Sequence, residues 1–501
     1  MGGEILNDLN IIDRFALFVN PEWAYQRIAW KQGVEQVRNY DAGSSGRANG
    51  NWTTVNNTAQ QTDKPFRDAV RARARDLERN SDFAESIVLA YERNVIGRGF
   101  KLQSLIKDKN GDDDEELQNT IEDLWQQWSR PYSCDITREQ SLTEMLRMTM
   151  RRLRYDGGIL FVKVYGGDGV LPFKLQAREV DELDASYIKV TKDNDENIVI
   201  DGIEYDLYHR PVAYYFKTYS ADGFWVGQSE RIPAKRVLFL WEKRRPSQIR
   251  EMSLMANSLT RIRDTNEYME AVSVQARIMA CLSVFIKKIT PTGTLGRSGG
   301  AIDEKSGYKQ TTLTPGTITN LQPGEEAQFL NPSGQSQNAK DYLNFMQRIT
   351  GSGQGLSYEA VSRDMSQVTY SSARQGLLED KRTYQQWQDY LIEHFLDEVY
   401  SEFLTSAVLT GVLKIDIGKY FSNKSGYTKH KFITSGWDWI DPLKEAKANE
   451  TALATGQTAL ADIISSKGGD WKETADQRAK EIKYAESLGG AKVEGAKETK
   501  Q

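Results

Sequence analysis

Residues 365–376, MSQVTYSSARQG, gather Gln367, Thr369, Ser371, Ser372 and Arg374 between two segments that carry the apolar period of long helices. Hydroxyls, free amides and a guanidinium at a helix start are the chemistry of a phosphate site without base readout. Ser372-x-x-Gln375 has capping-box spacing, in which the Ser hydroxyl accepts from the amide three residues on and the Gln side chain reaches back. That pairing predicts a helix over 372–410 and explains the small polar residues. It leaves Arg374 in the first turn, where the positive end of the helix dipole costs a cation roughly a few tenths of a kcal/mol.

Other motifs offer little catalysis. No GxxxxGK[ST] occurs, and GTLGRSGG at 293–300 lacks the Lys and the following helix, so it reads as a loop. The histidines are His209, His394 and His430, with no HExxH or GxSxG around them. His394 lies in a helical pattern among aromatics and reads as structural. DNDENIVIDGIE (193–204) puts Asp193, Asp195, Asn197 and Glu204 at calcium-loop positions, but Ile198 stands where the sharp turn demands Gly. It reads as a hairpin turn, and DKNGDDDEE (108–116) as a solvated acidic turn. DPLKEAK (441–447) imitates a nuclease Asp…Glu-x-Lys set, yet Asp441 followed by Pro442 is better read as a helix start. Arg71, Arg75 and Arg79 form an i,i+4 stripe beside Asp76 and Glu78, predicting a solvated or interface face. No reaction centre, cofactor or metal site emerges.

At 501 residues the chain suggests roughly three units on a prior of about 150 residues each. A hydrophobic share of 39% supports real cores, while a net charge of -5 argues against a generic basic nucleic-acid coat. Cys134 and Cys281 stand far apart, so no disulfide framework is expected, and two cysteines suit a reducing cytoplasm. No signal peptide is visible, and no apolar run approaches the roughly 18 residues of a membrane span, so a soluble protein without a membrane partner is expected.

The elements that must position these residues follow from periodicity. Residues 41–65 read as a loop or flexible arm, and the pattern turns helical from Pro65 to about Asn94, with Ser81 as an N-cap and Gly97 as a stop. Helices fit 114–129 and 138–156. The period then changes to two: 157–184 reads as a hairpin, 198–219 as two strands around YHRP, and RVLFLWE (236–242) as a last strand, which makes the class α+β. Helix returns over 252–288, Gly/Pro-rich strands and turns fill 289–334, and helix resumes at 338–350. Leu377, Tyr384, Trp387, Leu391, Phe395, Val399 and Phe403 mark the buried stripe of the next long helix. A pair of helices after about 437 precedes a tail that reads as disordered.

Six stretches in order carry a resemblance: RARARDLERNSDFAESIVLAYERNVIGRG, GIEYDLYHRPVAYYF, IPAKRVLFLWEKRRPSQIRE, LTPGTITNLQPGEEAQFLNP, TYSSAR and WIDPLKEAKA. From about residue 65 to residue 490 the chain resembles the lambda-type family of tailed-phage portal proteins. It departs where that family follows RPxQxR with a glycine-containing turn, which RRPSQIREMSLM lacks. The resemblance implies a portal-type subunit: an N-terminal arm at 1–64, an α+β wing at 65–251, and a stem helix at 252–288. A clip at 289–334, a second stem helix at 335–354 and a tunnel loop at 355–371 would follow. The wing's long helix and return would take 372–439, a helical crown 440–490 and a tail 491–501.

It further implies a dodecameric head–tail connector ring at one capsid vertex of the virion, assembled in the host cytoplasm, through which double-stranded DNA is packaged and ejected. The implied partners are the terminase large subunit, the major capsid or scaffolding protein and a head-completion adaptor. The tunnel loop would offer Arg363, Gln367, Thr369, Ser371, Ser372 and Arg374 to DNA. The clip would offer Arg297, Lys305, Tyr308, Lys309, Glu325 and Glu326 to the terminase or adaptor. Twelve copies of a -5 chain carry about -60, which suits a conduit, because a Lys/Arg-lined channel would hold DNA through counterion release. Two other classes stay open: a nuclease- or terminase-like DNA-processing subunit, and a capsid or adaptor oligomer with no channel.

Overall fold

A computed structural model describes residue 22 and residues 51–108, 110–189, 197–220, 222–281, 285–288, 325–328, 335–366, 369–437 and 442–487. The chain divides into two units, Met1–Thr58 and Ala59–Gln501. In the first, residues 51–58 are exposed and form neither helix nor strand.

The second unit opens with α1 (Ala59–Asn80), which starts ahead of Pro65. The loop expected up to residue 65 is thus helical from Ala59 on. Tertiary contacts override the missing apolar pattern: Ala59 is fully buried and its amide donates to Ser247 Oγ at 3.0 Å. Lys64 lies 2.6 Å from Asp201, to which Gln60 also donates.

Of the solvated or interface face expected for the arginine stripe of α1, the structure shows the interface within the chain for all but Arg79. Arg67 and Arg71 are each 4% exposed. Arg71 Nη2 meets Glu251 at 2.7 Å, Arg67 Nη1 meets Asp201 at 3.2 Å, and Arg75 Nε meets Asp156 at 2.7 Å. Asp181 pairs with both Arg71 and Arg75. Arg250 completes the network, pairing with Glu251 at 2.7 Å and donating to the carbonyls of Asp201 and Val180. Only Arg79 of the stripe points to water. Burial pushes the Glu251 carboxyl upward, but Arg250, Arg71 and Arg67 outweigh burial and hold it below its ordinary range.

Local caps explain the next helices. Ser81 caps α2 (Asp82–Tyr91), accepting from Ala84 N at 3.2 Å, and a π turn at Glu92–Ile96 ends at Gly97 with φ +53°. The π turn frees the Asn94 and Val95 carbonyls, which Gln388 satisfies with its side-chain amide at 3.3 and 3.1 Å. Strand β1 (Lys101–Ser104) leads to α3 (Glu115–Trp128), the short α4 (Pro131–Cys134) and α5 (Leu142–Tyr155), which has a full Ser141/Glu144 capping box.

Strands β2 (Gly158–Tyr165) and β3 (Phe173–Arg178) form the expected hairpin, and β8 (Val237–Trp241) completes an antiparallel sheet in the order β3-β2-β8. A second antiparallel sheet runs β4 (Ile198–Ile200), β5 (Ile203–Tyr205), β6 (Pro211–Tyr219), β7 (Trp225–Pro233). Asp201 and Gly202, at φ +52° and +78°, make the tight β4–β5 turn. The calcium-like spacing is therefore a hairpin in its described part, with Glu204 2.7 Å from Arg231 Nε; Asp193 and Asp195 lie outside the described residues. Strand β7 carries no sequence signal, because WVGQSERIP lacks an apolar alternation and is almost wholly exposed.

Residues 252–258 are turns rather than helix, tied back by Ser253 Oγ donating to the Arg154 carbonyl at 2.9 Å. Helix α6 (Leu259–Cys281) follows without any glycine at the break. Strands β9 (Phe285–Lys288) and β10 (Glu325–Gln328) pair antiparallel, and α7 (Gln335–Gly353) returns alongside α6. Then come α8 (Tyr358–Ser362) and α9 (Tyr370–Leu391), which runs through a second π turn at Ile392–Leu396 into α10 (Asp397–Leu409). Tyr384, Trp387, Leu391, Phe395, Val399 and Phe403 of the expected stripe are buried, and Leu377 is half-buried. His394 lies in the π turn, 4.5 Å from the Tyr390 ring but exposed.

The main core gathers Trp125 and Trp128 of α3, Phe173 of β3 and Phe403 of α10. Trp128 stacks on Phe173 at 5.4 Å and donates its indole N–H to the Phe173 carbonyl at 2.8 Å, so its one polar atom is satisfied in the core. A smaller core lies under the four-stranded sheet around Leu160, Ile203, Phe216 and Ile232. Beyond α10 come α11 (Ile417–Ser422), α12 (Lys424–Tyr427), β11 (His430–Ile433) paired with β1, and the largely exposed α13 (Pro442–Ala454), α14 (Leu460–Ser465) and α15 (Trp471–Ser487).

Candidate functional site

The stretch joining α7 to α9 is built by short-range turns and two long-range ties. Gln354, 5% exposed, immediately follows α7. Its side-chain amide donates to the Leu254 carbonyl, Asn257 Oδ1 and Ser258 Oγ at 3.3, 3.1 and 2.9 Å, at the entry to α6. Its carbonyl accepts from the Tyr91 hydroxyl of α2. Gly355 follows at φ +74°, a conformation that disfavours any side chain. Leu356 and Val361 are buried in the main core.

Ser357 caps α8, accepting from Ala360 N at 3.2 Å. Its own amide and hydroxyl both donate to the Asp380 carboxylate of α9, at 2.7 and 2.6 Å. Burial pushes the Asp380 carboxyl above its ordinary value, the Ser357 hydrogen bonds oppose this, and Glu359 and Glu379 add to the rise. Helix α8 then stops at Arg363, which adopts the left-handed region at φ +57° and donates its amide to the Glu359 carbonyl at 2.9 Å. A non-glycine residue here costs backbone strain.

Arg363 and Arg374 are both exposed, and neither forms an ion pair among the described residues. Thr369 is exposed immediately before α9. Ser371 and Ser372 lie in the first turn of α9, and Gln367 lies outside the described residues. The expected capping box is overturned: the helix begins at Tyr370, so Ser372 sits inside it, and the Gln375 amide reaches forward to Glu379 Oε1 at 3.3 Å. Arg374 is thereby the fifth helical residue, past the first turn in which the dipole acts, and no offset to a dipole penalty is needed.

In the segment between α6 and α7, Arg297, Lys305, Tyr308 and Lys309 lie outside the described residues. Glu325 and Glu326 stand on β10, in register with Lys288 and Lys287 of β9. Asp441 of the nuclease-like set is likewise outside the described residues, and Pro442 begins α13. Among the described residues no group of three or more His, Cys, Asp or Glu could hold a metal ion, and no helix is long and apolar enough to cross a membrane.

Sequence reasoning missed Gln354, Ser357 and Asp380. No motif spacing links them, and their polarity alone marks them as surface residues; the connection lies in the hydrogen bonds from Ser357 to buried Asp380 and from buried Gln354 to the entry of α6.

Comparison with known proteins decides the family. Residues 45–388 match the lambda family of phage portal proteins. The chain belongs to that family. The probable portal protein of Halomonas phage phiHAP-1 is 25% identical over 464 residues, covering 90% of this chain and 88% of the relative. Portal protein B of Escherichia phage lambda is 21% identical over 497 residues, covering 91% and 92%. Among solved structures, a chain from the neck of an empty gene transfer agent particle has a TM-score of 0.40 at 13% identity, covering 77% of this chain and 89% of that one. In this portal-family chain the exposed arginines therefore sit on a stretch that is pinned at its start and again at Asp380, while α6 and α7 carry the excursion that contains β9 and β10.

Proposed function

We propose that the chain is the subunit of a dodecameric portal ring at one capsid vertex, a non-catalytic conduit through which double-stranded DNA is packaged and ejected. The observation that carries this reading is the antiparallel pair α6 and α7. Tyr268 meets Tyr342 at 4.6 Å and Ser258 meets Gln354 at 2.9 Å, which sets the two helices side by side. From Glu267 to Arg277, however, α6 is mostly exposed, with Met269 and Val274 in water, and Phe345 of α7 is 59% exposed. Two long helices leaving apolar side chains uncovered gain partners when copies pack laterally, each subunit using two different surfaces that close by rotation.

In this reading α6 and α7 are the stem, and β10 belongs to the clip where the terminase large subunit and later a head-completion adaptor dock; β9, a strand inside the stem helix expected to reach 288, pairs with β10 and moves the clip's start to 285. The wing meets the major capsid or scaffolding protein. Arg363, Thr369 and Arg374 touch passing phosphates without reading bases, while the acidic net charge keeps those contacts weak. Native mass spectrometry with negative-stain imaging tests the assembly. Twelve copies of the 56.9 kDa chain give about 680 kDa and rings with a hole wide enough for duplex DNA. Monomers or compact dimers contradict it. A metal-dependent nuclease activity lost in Asp441→Ala supports the DNA-processing alternative.

A further inference from the structure

The geometry points to Asp380 as a positioning residue that fixes Arg363 to α9, so that Arg363 and Arg374 move as one unit rather than on a free loop. This rests on the reading that the stretch faces DNA. Asp380 is 4% exposed and takes both Ser357 donors, so the start of α8 is held to α9 by two hydrogen bonds on one buried carboxylate. Helix α8 is one turn long, and its last carbonyl bond is made by the Arg363 amide itself. No free residues intervene between the pinned cap and the arginine that ends the helix. The other end of the turn is fixed independently by Gln354, which binds the α6 entry and Tyr91. With Gly355 as the bend between the two ties, the Asp380 contact is the hydrogen-bonded link from the start of α8 to the helix bearing Arg374, alongside the close approach of Gly376 to Ser357.

Hydrogen exchange and DNA packaging by the full-length assembled ring test this together. In Asp380→Ala, amides of 357–363 should exchange at least several-fold faster, with α5 and β2 unchanged. Asp380→Asn, which keeps an acceptor, should restore much of the protection. Packaging should fall several-fold in Asp380→Ala, and Arg363→Ala should add little in that background, because the arginine is already misplaced. If Asp380→Ala fails to assemble, Ser357→Ala, which keeps the amide donor, takes its place. Unchanged exchange at 357–363 overturns the positioning role alone. Faster exchange with normal packaging in both Asp380→Ala and Arg363→Ala overturns the DNA-facing reading and the proposal with it.

Discussion

Arg71 and Glu251, separated by 180 residues in sequence, meet at 2.7 Å with both side chains out of water. The pair fastens α1 to the stretch that leads into α6. Arg250 and Asp181 complete the charges around it, which is why the buried ions are tolerated.

Removing Arg71 takes one of two guanidinium partners from Glu251 and one of two from Asp181, while Arg250 and Arg75 stay in place. Arg71→Ala should cost about 1–3 kcal/mol, whereas Arg79→Ala on the same stripe should stay within about 0.5 kcal/mol. Urea unfolding of the two variants checks this, and similar midpoints for both would contradict the buried network.

Glu204 gives the pH dependence its sign. The Arg231 guanidinium, bonded at 2.7 Å, outweighs burial and brings the carboxyl from the usual 4.5 down to about 2. A lowered acid pKa contributes stability that is present above the unfolded value and lost as pH falls from about 5 toward 2. Glu204→Gln should flatten the fall in unfolding midpoint over that window. An unchanged slope would show that the pair adds nothing.

Burial pushes the Cys134 thiol up to about 12, and the adjacent Asp135 adds to the rise. Little thiolate forms, so in a Cys281→Ser background Cys134 should resist alkylation at pH 8 until denaturant is added. Rapid labelling of the folded protein would contradict its placement in the core.

Charge reversal at the candidate DNA-facing positions should separate function from assembly. Arg374→Glu should reduce packaging several-fold at unchanged ring yield, with the defect easing as salt rises, because screening weakens the repulsion. Packaging equal to the unaltered protein would remove Arg374 from the DNA path.

Features set by neighbouring residues were legible in the sequence. Ser81 and Gly97 bracket their helix through local hydrogen bonds and one positive φ, and the stripe from Tyr384 to Phe403 follows a single period. Features set by distant residues were not. Whether Arg71 meets water or an interface is open in the sequence because its acids at 181 and 251 are remote, and α1 extends to Ala59 because Asp201 and Ser247 hold its first turn. At the site, Arg363 and Arg374 were visible as exposed cations. The helix start at Tyr370 and the Asp380 tie depend on packing that no local spacing encodes.

The central claim is that copies of this chain enclose a DNA channel with these arginines on its wall. A cryo-EM map of the assembled ring tests it most directly. The expected map has twelve-fold symmetry, α6 and α7 packed laterally between neighbours, and Arg363 and Arg374 facing the central hole. A ring with both arginines on its outer surface, or a particle with no through-going hole, contradicts it.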